Sequence, residues 1–432
     1  MKVHLVGIGG IGVSALARMF LGEGPPAGGV SGSDRDPSPI TEELARLGVK
    51  IFFGHRAENL PPDADLVIYT IAVPPDNPEL LAAKRLGIKT LSYPEALGEI
   101  SARKFTIAVA GTHGKTTTTA MLAKIFIDAG LDPTVIVGSI LPTQKSNFIF
   151  GRSKYFIVEA CEYRRSFLNL SPRILVITNI DNDHLDYYRD LADIESAFAE
   201  LAGKLPADGA LVCDRNDERL KSVLLNTRCL TFDYRQLPTT DLKLSVPGEH
   251  NQRNAQAALA VAAVVGIDQS VARRSLETFS GTWRRFEFKG RTAGGALVYD
   301  DYAHHPTEIR ATLAGARELF PDQKIVVIFQ PHLYSRTKLL LNDFATSFHG
   351  ADQVIVLPIY AAREPFDASI SAEILAEAIT KQGVPARAVS GFESASNYLQ
   401  NLKPNPYNLI LTMGAGDIFQ LAENLVSSES HD

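Results

Sequence analysis

Six consecutive residues, Gly111-Thr112-His113-Gly114-Lys115-Thr116, have the make-up of an anion cradle. Glycines let a chain turn tightly and bare its N–H groups, a lysine can reach terminal phosphates, and a threonine hydroxyl can ligate a divalent cation. Thr106 to Ala110 before them reads as a strand, and the segment from Thr117 onward reads as a helix, so the loop lies where a helix dipole meets an anion. The full phosphate-loop spacing asks for a further glycine at position 109, where Val109 stands. A bare G-K-T triplet arises often by chance, and the strand–loop–helix context is what argues for a triphosphate here.

A second glycine turn, Gly7-Ile8-Gly9-Gly10-Ile11-Gly12, follows a strand over Lys2 to Val6 and opens a helix over Val13 to Leu21. Ser33-Asp34 ends the next strand, where an acidic residue meets a ribose in dinucleotide sites. An NAD-dependent oxidoreductase is therefore one hypothesis, and the pyrophosphate of a UDP-sugar fits the same geometry. The bland alternative is a tight turn with close helix–strand packing.

These loops need a scaffold, and 432 residues exceed what one core supports. Short apolar runs alternate with amphipathic segments almost throughout, the rhythm of parallel sheets covered by helices. This predicts an α/β chain of three domains: a Rossmann-like N-terminal domain (1–102), a central P-loop ATPase-like domain (103–283) and a C-terminal Rossmann-like α/β domain (284–432). Net charge −6 argues against a nucleic-acid partner. Cys161, Cys213 and Cys229 form neither a disulfide framework nor a zinc motif, which suits a reducing cytoplasm. No stretch approaches the roughly 20 apolar residues of a membrane span. The polar tail 427–432 reads as frayed, and the expected assembly is a monomer or homodimer.

With both loops in this order, the chain resembles the Mur ligases, the ATP-dependent amide-forming enzymes of peptidoglycan assembly. The resemblance runs through Gly111 to Thr117, Glu159-Ala160-Cys161-Glu162, Thr178-Asn179-Ile180 with Asp183-His184-Leu185-Asp186, His250-Asn251 with Asn254, Arg284-Arg285-Phe286 and Asp300-Asp301-Tyr302. It looks most like the branch that adds L-alanine to UDP-N-acetylmuramate, on Asp301 to Glu308 and on Gln330-Pro331-His332-Leu333-Tyr334-Ser335-Arg336-Thr337. A ligase that recycles murein peptides is the alternative within the family. The resemblance implies that ATP phosphorylates the lactyl carboxylate of the sugar and that the alanine amine then displaces phosphate.

The resemblance also implies roles. Gly111 to Thr117 hold ATP, and His250, Asn251 and Asn254 serve its adenine, with helix capping by Asn251 as the bland reading. Thr116, Glu159 and His184 hold Mg²⁺, with Mn²⁺ as a substitute. Gly9, Gly10, Ile11, Gly12, Ser33 and Asp34 face the UDP-sugar. Arg285 stabilises the transferred phosphoryl group, and Asp301 contacts the nucleotide. Tyr302, His304, His332 and Arg336 form the amino-acid pocket, with His304 taking the ammonium proton and Arg336 pairing with the carboxylate. Sister ligases carry a carbamylated lysine where this chain has Phe198, and the alanine-adding branch lacks it too. Two positions depart from the pattern. Cys161 stands for an aspartate, a loss expected to be met by a local rearrangement with Arg164 and Arg165. Leu333 stands for an arginine.

Overall fold

In the computed structural model of the chain, the described residues are 1–22, 29–184, 187–239, 242–362, 364–401 and 407–427. Leu185 and Asp186 of the D-H-x-D segment lie outside them. Of the polar tail, Ser427 ends a helix and residues 428–432 lie outside the described residues.

Among the described residues, eighteen strands form three sheets. The first sheet contains β1 (Val3–Val6), β2 (Val30–Asp34), β3 (Lys50–Phe53), β4 (Leu66–Tyr69) and β5 (Lys89–Ser92) in the order β3-β2-β1-β4-β5. All its pairs are parallel. The strand order reverses between β1 and β4, and such a reversal opens a ligand crevice at the carboxyl ends. The glycine turn leaves β1 there.

The second sheet contains β6 (Phe105–Ala110), β7 (Thr134–Leu141), β8 (Ser146–Ile149), β9 (Tyr155–Glu159), β10 (Ile174–Ile177), β11 (Ala210–Cys213) and β12 (Leu230–Asp233). Its order is β12-β11-β10-β6-β9-β7-β8, with β8 antiparallel to β7. β6 lies between β9 and β10. Their three carboxyl ends therefore deliver Gly111, Glu159 and Thr178 to one place.

The third sheet contains β13 (Glu287–Arg291), β14 (Leu297–Asp301), β15 (Ile325–Phe329), β16 (Gln353–Val356), β17 (Ala386–Ala388) and β18 (Leu409–Met413), in the order β13-β14-β18-β15-β16-β17. β13 runs antiparallel to β14 and the other pairs are parallel. The central strands read Ile174-Leu175-Val176-Ile177 and Ile325-Val326-Val327-Ile328-Phe329, buried throughout because helices cover both faces.

By compactness the chain divides in two. One unit is Met1–Leu242 with Asn254–Glu277, and the other is Lys243–Arg253 with Thr278–Asp432. The first two sheets share one unit because the β7–β8 hairpin grips the N-terminal domain. Arg18 donates to Asn147 Oδ1 at 3.2 Å and to Glu43 at 2.9 Å, while the Asn147 amide donates to the Ile11 carbonyl.

Beneath the glycine turn lies a buried polar network. Glu79, fully buried, accepts from His4 Nε2 at 2.7 Å, the Ser33 hydroxyl at 2.8 Å and His55 Nδ1 at 3.0 Å. Burial alone would raise this carboxyl, but the bonds from His4 and Ser33 outweigh it and hold it below its usual value. The network fixes β2 against β1, because the Ser33 carbonyl accepts from the N–H groups of Gly7 and Ile8. Glu79→Ala would strand these donors without a partner and should cost about 3 kcal/mol of stability, read by urea unfolding. The depressed value makes Glu79's contribution complete above the ordinary 4.5, and it is lost as pH falls through the lowered folded-state value. An unchanged unfolding midpoint would exclude this role.

Candidate active site

The phosphate loop joins β6 to the helix Lys115–Asp128. Gly111 and Gly114 have φ of 128° and 85°, which side chains rarely tolerate. Space forbids side chains as well. A Cβ on Gly111 would lie 2.0 Å from the Thr178 hydroxyl, and one on Gly114 would lie 2.4 Å from Asn254 Oδ1. Val109 stays in β6, paired with Glu159 and Val176.

Thr178 and Asn179 pin the loop from the end of β10. The Thr178 hydroxyl donates to the His113 carbonyl at 2.6 Å. Asn179 Oδ1 accepts from the His113 N–H at 2.9 Å, and its amide donates back to the His113 carbonyl at 2.9 Å. Thr112 takes the Asp181 N–H on its hydroxyl at 2.8 Å, and His113 Nε2 lies 3.4 Å from Asp181 Oδ2. The sequence marked Thr178 and Asn179 as landmarks without a role; holding the loop is that role.

Lys115 folds back over the loop. Its ammonium donates to the carbonyls of Gly111 and Thr112 and lies 2.9 Å from a Glu162 carboxylate oxygen. Burial would lower its value, but the charge of Glu162 and the groups at Cys161 and Glu159 raise it, so the ammonium stays charged. The Thr116 hydroxyl donates to Glu159 Oε2 at 3.2 Å, and Glu159 Oε1 accepts from the Gly138 N–H at 2.6 Å. A hydroxyl and a carboxylate so placed are a fitting oxygen pair for a hard divalent cation. Thr117 is buried behind them.

Glu162 is the group that the sequence reading passed over. It is buried, and its Oε1 lies 3.8 Å from His184 Nε2. Two carboxylates, those of Glu162 and Asp183, lie 3.8 Å from His184 Nε2. The repeated acid of Glu159-Ala160-Cys161-Glu162 was the available signal. Glu162 places a negative charge beside Lys115 from the residue after Cys161. The arginines turn elsewhere. Arg165 pairs with Asp193 at 2.7 Å, and Arg164 lies 5.6 Å from the Tyr163 ring centre. Both have left-handed backbone. Phe198 is fully buried and packs edge-on against Phe167 at 5.1 Å, in a core that leaves no place for a lysine.

At the N-terminal glycine turn, three of the expected residues have partners within the protein. The Asp34 carboxylate accepts from the Gly9 N–H at 2.7 Å, so it closes the glycine turn on itself. Ser33 is fully buried with its hydroxyl on Glu79, which withdraws its side chain from any ligand. A Cβ on Gly12 would lie 2.6 Å from the Tyr93 ring, so this glycine serves ring packing. Gly10 donates to the Gly7 carbonyl at 3.1 Å, and the Ile11 carbonyl takes the Asn147 amide.

The helix Glu249–Val265 starts two residues before the expected Asn251. Asn251 is no N-cap: its amide donates to the Pro247 carbonyl at 2.7 Å, inside the first turn. Burial, then the positive Arg285, pushes His250 down to about 4, so it is neutral at pH 7. Arg284 is buried and donates to Asp300 at 2.7 Å and to the Gly416 carbonyl at 2.8 Å, while Arg285 stays partly exposed, 3.6 Å from Glu308. Asp301 accepts from the N–H groups of Phe286 at 2.7 Å and Ala303 at 2.8 Å. Its carboxylate therefore braces two loops rather than reaching outward, and burial raises it to about 6.

Tyr302, His304, His332 and Arg336 come together. The His304 ring is 5.3 Å from Tyr302 and 5.9 Å from His332, which stacks on Tyr360. His304 Nδ1 lies 3.0 Å from the Tyr302 carbonyl and 3.2 Å from Glu308. Both neighbours only accept, so Nδ1 carries the hydrogen and Nε2 is the basic atom. Arg336 lies 3.3 Å from His332 Nδ1. Glu308 was missed, although His304 and Glu308 have the spacing of side chains that meet across one turn. Leu333 is buried with φ 70°, so its side chain is core and cannot hold a substrate anion.

Known proteins give this architecture its class. The chain matches the family models described as Mur ligase family, catalytic domain, over residues 2–105, Mur ligase middle domain over 109–237, and Mur ligase, glutamate ligase domain over 284–416. It belongs to the Mur ligase family. It is 43% identical over 450 residues to the UDP-N-acetylmuramate–L-alanine ligase of Clostridium kluyveri, covering 98% of this chain and 97% of that protein. The enzyme of the same name from Clostridium acetobutylicum is 41% identical, with coverage of 99% and 97%. The solved UDP-N-acetylmuramate-alanine ligase of Thermotoga maritima superposes with a TM-score of 0.80 at 32% identity, covering 99% of each chain. A murein peptide ligase of Psychrobacter arcticus gives 0.70 at 25% identity, covering 99% of this chain and 98% of that one.

Asn179→Ala should loosen the loop and raise the KM for ATP roughly tenfold with a smaller change in kcat, as steady-state kinetics would read. An unchanged KM would exclude the pinning role. His250 prefers its neutral form in the fold, so its contribution is complete above pH 6.5 and is lost as pH falls toward about 4. Thermal unfolding of His250→Gln should show a shallower loss of stability across that window than the parent; parallel curves would contradict it.

Proposed function

We infer that this chain joins L-alanine to the lactyl carboxylate of UDP-N-acetylmuramate with ATP, releasing ADP and phosphate. The observation that carries the ATP half is the glycine loop with Lys115 over it and Thr116 facing Glu159 at 3.2 Å. The full-length likeness to alanine-adding enzymes supports the substrates.

The chemistry explains the parts. A carboxylate cannot expel oxide, so it must first be activated. Its oxygen attacks the γ-phosphorus, an O–P bond forms and ADP leaves. The alanine nitrogen then attacks the acyl carbon, and phosphate departs with the C–O bond electrons. Lys115 and the loop N–H groups offset charge on the nucleotide. Mg²⁺, held through Thr116 and Glu159 with His184 and Glu162 beside them, would supply further neutralisation of the phosphoryl oxygens. His304 Nε2 takes the ammonium proton, since only the free amine is nucleophilic. Arg336 pairs with the alanine carboxylate, and Arg285 offsets phosphoryl charge.

We assign the UDP-sugar to domain 1–102, ATP to 103–283 and the amino acid to 284–432. The full-length likeness to alanine-adding ligases speaks against a nicotinamide cofactor at the glycine turn. Among the described residues no helix is long and apolar enough to cross a membrane, and we place the activity in the cytoplasm.

The test is an assay with UDP-N-acetylmuramate, ATP, Mg²⁺ and an amino-acid panel. Amide should form with L-alanine, accompanied by phosphate release. Lys115→Ala should lower turnover roughly 100-fold or more. A parent that makes no amide with L-alanine, glycine or L-serine would refute the assignment, and full activity in Lys115→Ala would refute the mechanism.

A further inference from the structure

Tyr93 opens the helix Tyr93–Ser101, which a reciprocal capping pair of Ser92 and Glu95 starts. This helix belongs to the N-terminal domain, yet its flank lies on the central one. A Cβ on Gly98 would lie 2.6 Å from the Asn169 carbonyl, and the Ser101 hydroxyl accepts from the Ser171 N–H at 3.0 Å. Asn169 ends the helical turn Tyr163–Asn169 that follows Glu162 directly. The helix is thus laid against the far end of the turn that follows Glu159, Cys161 and Glu162 in the chain.

At its other contact, the Tyr93 ring fills the space where Gly12 has no side chain. The ideal Cβ of Gly12 would meet Cζ at 2.6 Å and both Cε atoms at 3.0 Å. The face and hydroxyl end of the ring, not its root, therefore press on the start of the first helix. Gly12 has ordinary backbone, so a glycine is required there by this ring alone. Burial raises the phenol above its usual value, and the groups at Glu159 and Cys161 raise it further. A phenol keeps its proton at neutral pH, so this O–H is a neutral donor beside the glycine turn, within electrostatic reach of the Glu159 carboxylate that faces Thr116.

A substrate that binds at the glycine turn and must present a carboxylate at the phosphate loop has to pass this junction. A neutral phenol donor suits an anionic acid there, because it can bond an oxygen without adding charge beside Glu159. Resting on the functional reading above, we propose that Tyr93 is a specificity-determining residue for the acid substrate: held by Gly12, it donates its O–H to the lactyl-sugar portion and aims the carboxylate at the phosphate loop. Cys161 belongs to the same arrangement. A carboxylate at that position would compete for the phenol's hydrogen, whereas a thiol, a weak acceptor, leaves it to the substrate.

The experiment is Tyr93→Phe, which keeps the ring on Gly12 and removes only the oxygen. Steady-state kinetics should show the KM for UDP-N-acetylmuramate raised about five- to tenfold, with KM for ATP and for L-alanine within twofold of the parent. Calorimetric titration with UDP-N-acetylmuramate without ATP should show the same loss of affinity. A Tyr93→Phe enzyme with an unchanged KM for the sugar, or with ATP and sugar weakened alike, would overturn the role of Tyr93 while leaving the functional reading intact. A parent that neither binds nor turns over UDP-N-acetylmuramate would overturn both. Gly12→Ala, which displaces the ring, should reproduce the selective loss; a sugar affinity equal to the parent's would count against the proposal.

Discussion

The turn between β6 and the helix Lys115–Asp128 has no room for a side chain at Gly111 or Gly114, and much of the first unit follows from that constraint. The walls that exclude a Cβ are Thr178 and Asn254. Thr178 comes from the end of β10, the neighbour of β6, so parallel register alone brings it to the loop. Glu159 arrives the same way from β9 on the other side. A loop wrapped this closely can keep its N–H groups aimed at an anion without reorganising, which is what electrostatic stabilisation of a transferred phosphoryl group requires.

The same constraint explains why this part of the molecule was legible in sequence. Chemistry at a phosphate demands particular residue types at short spacings, and Gly111, Lys115 and Thr116 announce themselves within six positions. The buried strands were legible too: β11 and β15 fall on Ala210 to Cys213 and Ile325 to Phe329, as their apolar runs indicate. The edges were not. Lys50–Phe53, Lys89–Ser92 and Ala386–Ala388 are short and only partly buried, so no continuous apolar run marks them. Partnerships across long separations were also invisible. Nothing local in Asp34 says that it will close on Gly9, or in Glu162 that it will meet Lys115, and burial of Ser33 depends on Glu79 from a later helix.

Charge balance around the loop shows how such partnerships reshape a motif. Read alone, Cys161 is a missing carboxylate. Yet the carboxylate that holds Lys115 from 2.9 Å and stands near His184 is Glu162, so the lysine's partner is not the residue at 161. A pair of this kind has a consequence for binding. The Lys115 ammonium must exchange Glu162 for phosphate oxygens, a trade of one anion for another that leaves no buried charge unpaired if a cation or His184 remains for Glu162. Arg165, held by Asp193, stays out of this exchange.

Backbone strain follows the chemistry as well. Nine non-glycine residues among those described have positive φ, and six of them, Arg164, Arg165, His184, Arg284, Phe286 and Leu333, are or flank site residues. Each costs about 1 kcal/mol or more and persists only where neighbours over-determine it. Arg284 shows how. Left-handed conformations at 284 and 286 bracket Arg285, and Arg284 is stapled inward by Asp300 and the Gly416 carbonyl, while Asp301 takes the Phe286 N–H. An extended strand would alternate these side chains and leave their directions to the pleat. The two left-handed turns instead send one guanidinium into the core as an anchor and leave its neighbour partly exposed beside Glu308. Asp300 and Asp301 divide the labour in the same manner, one holding the anchor and the other the backbone. The strain buys a fixed direction for a single charged group, and a fixed direction is what a residue facing a developing charge must have.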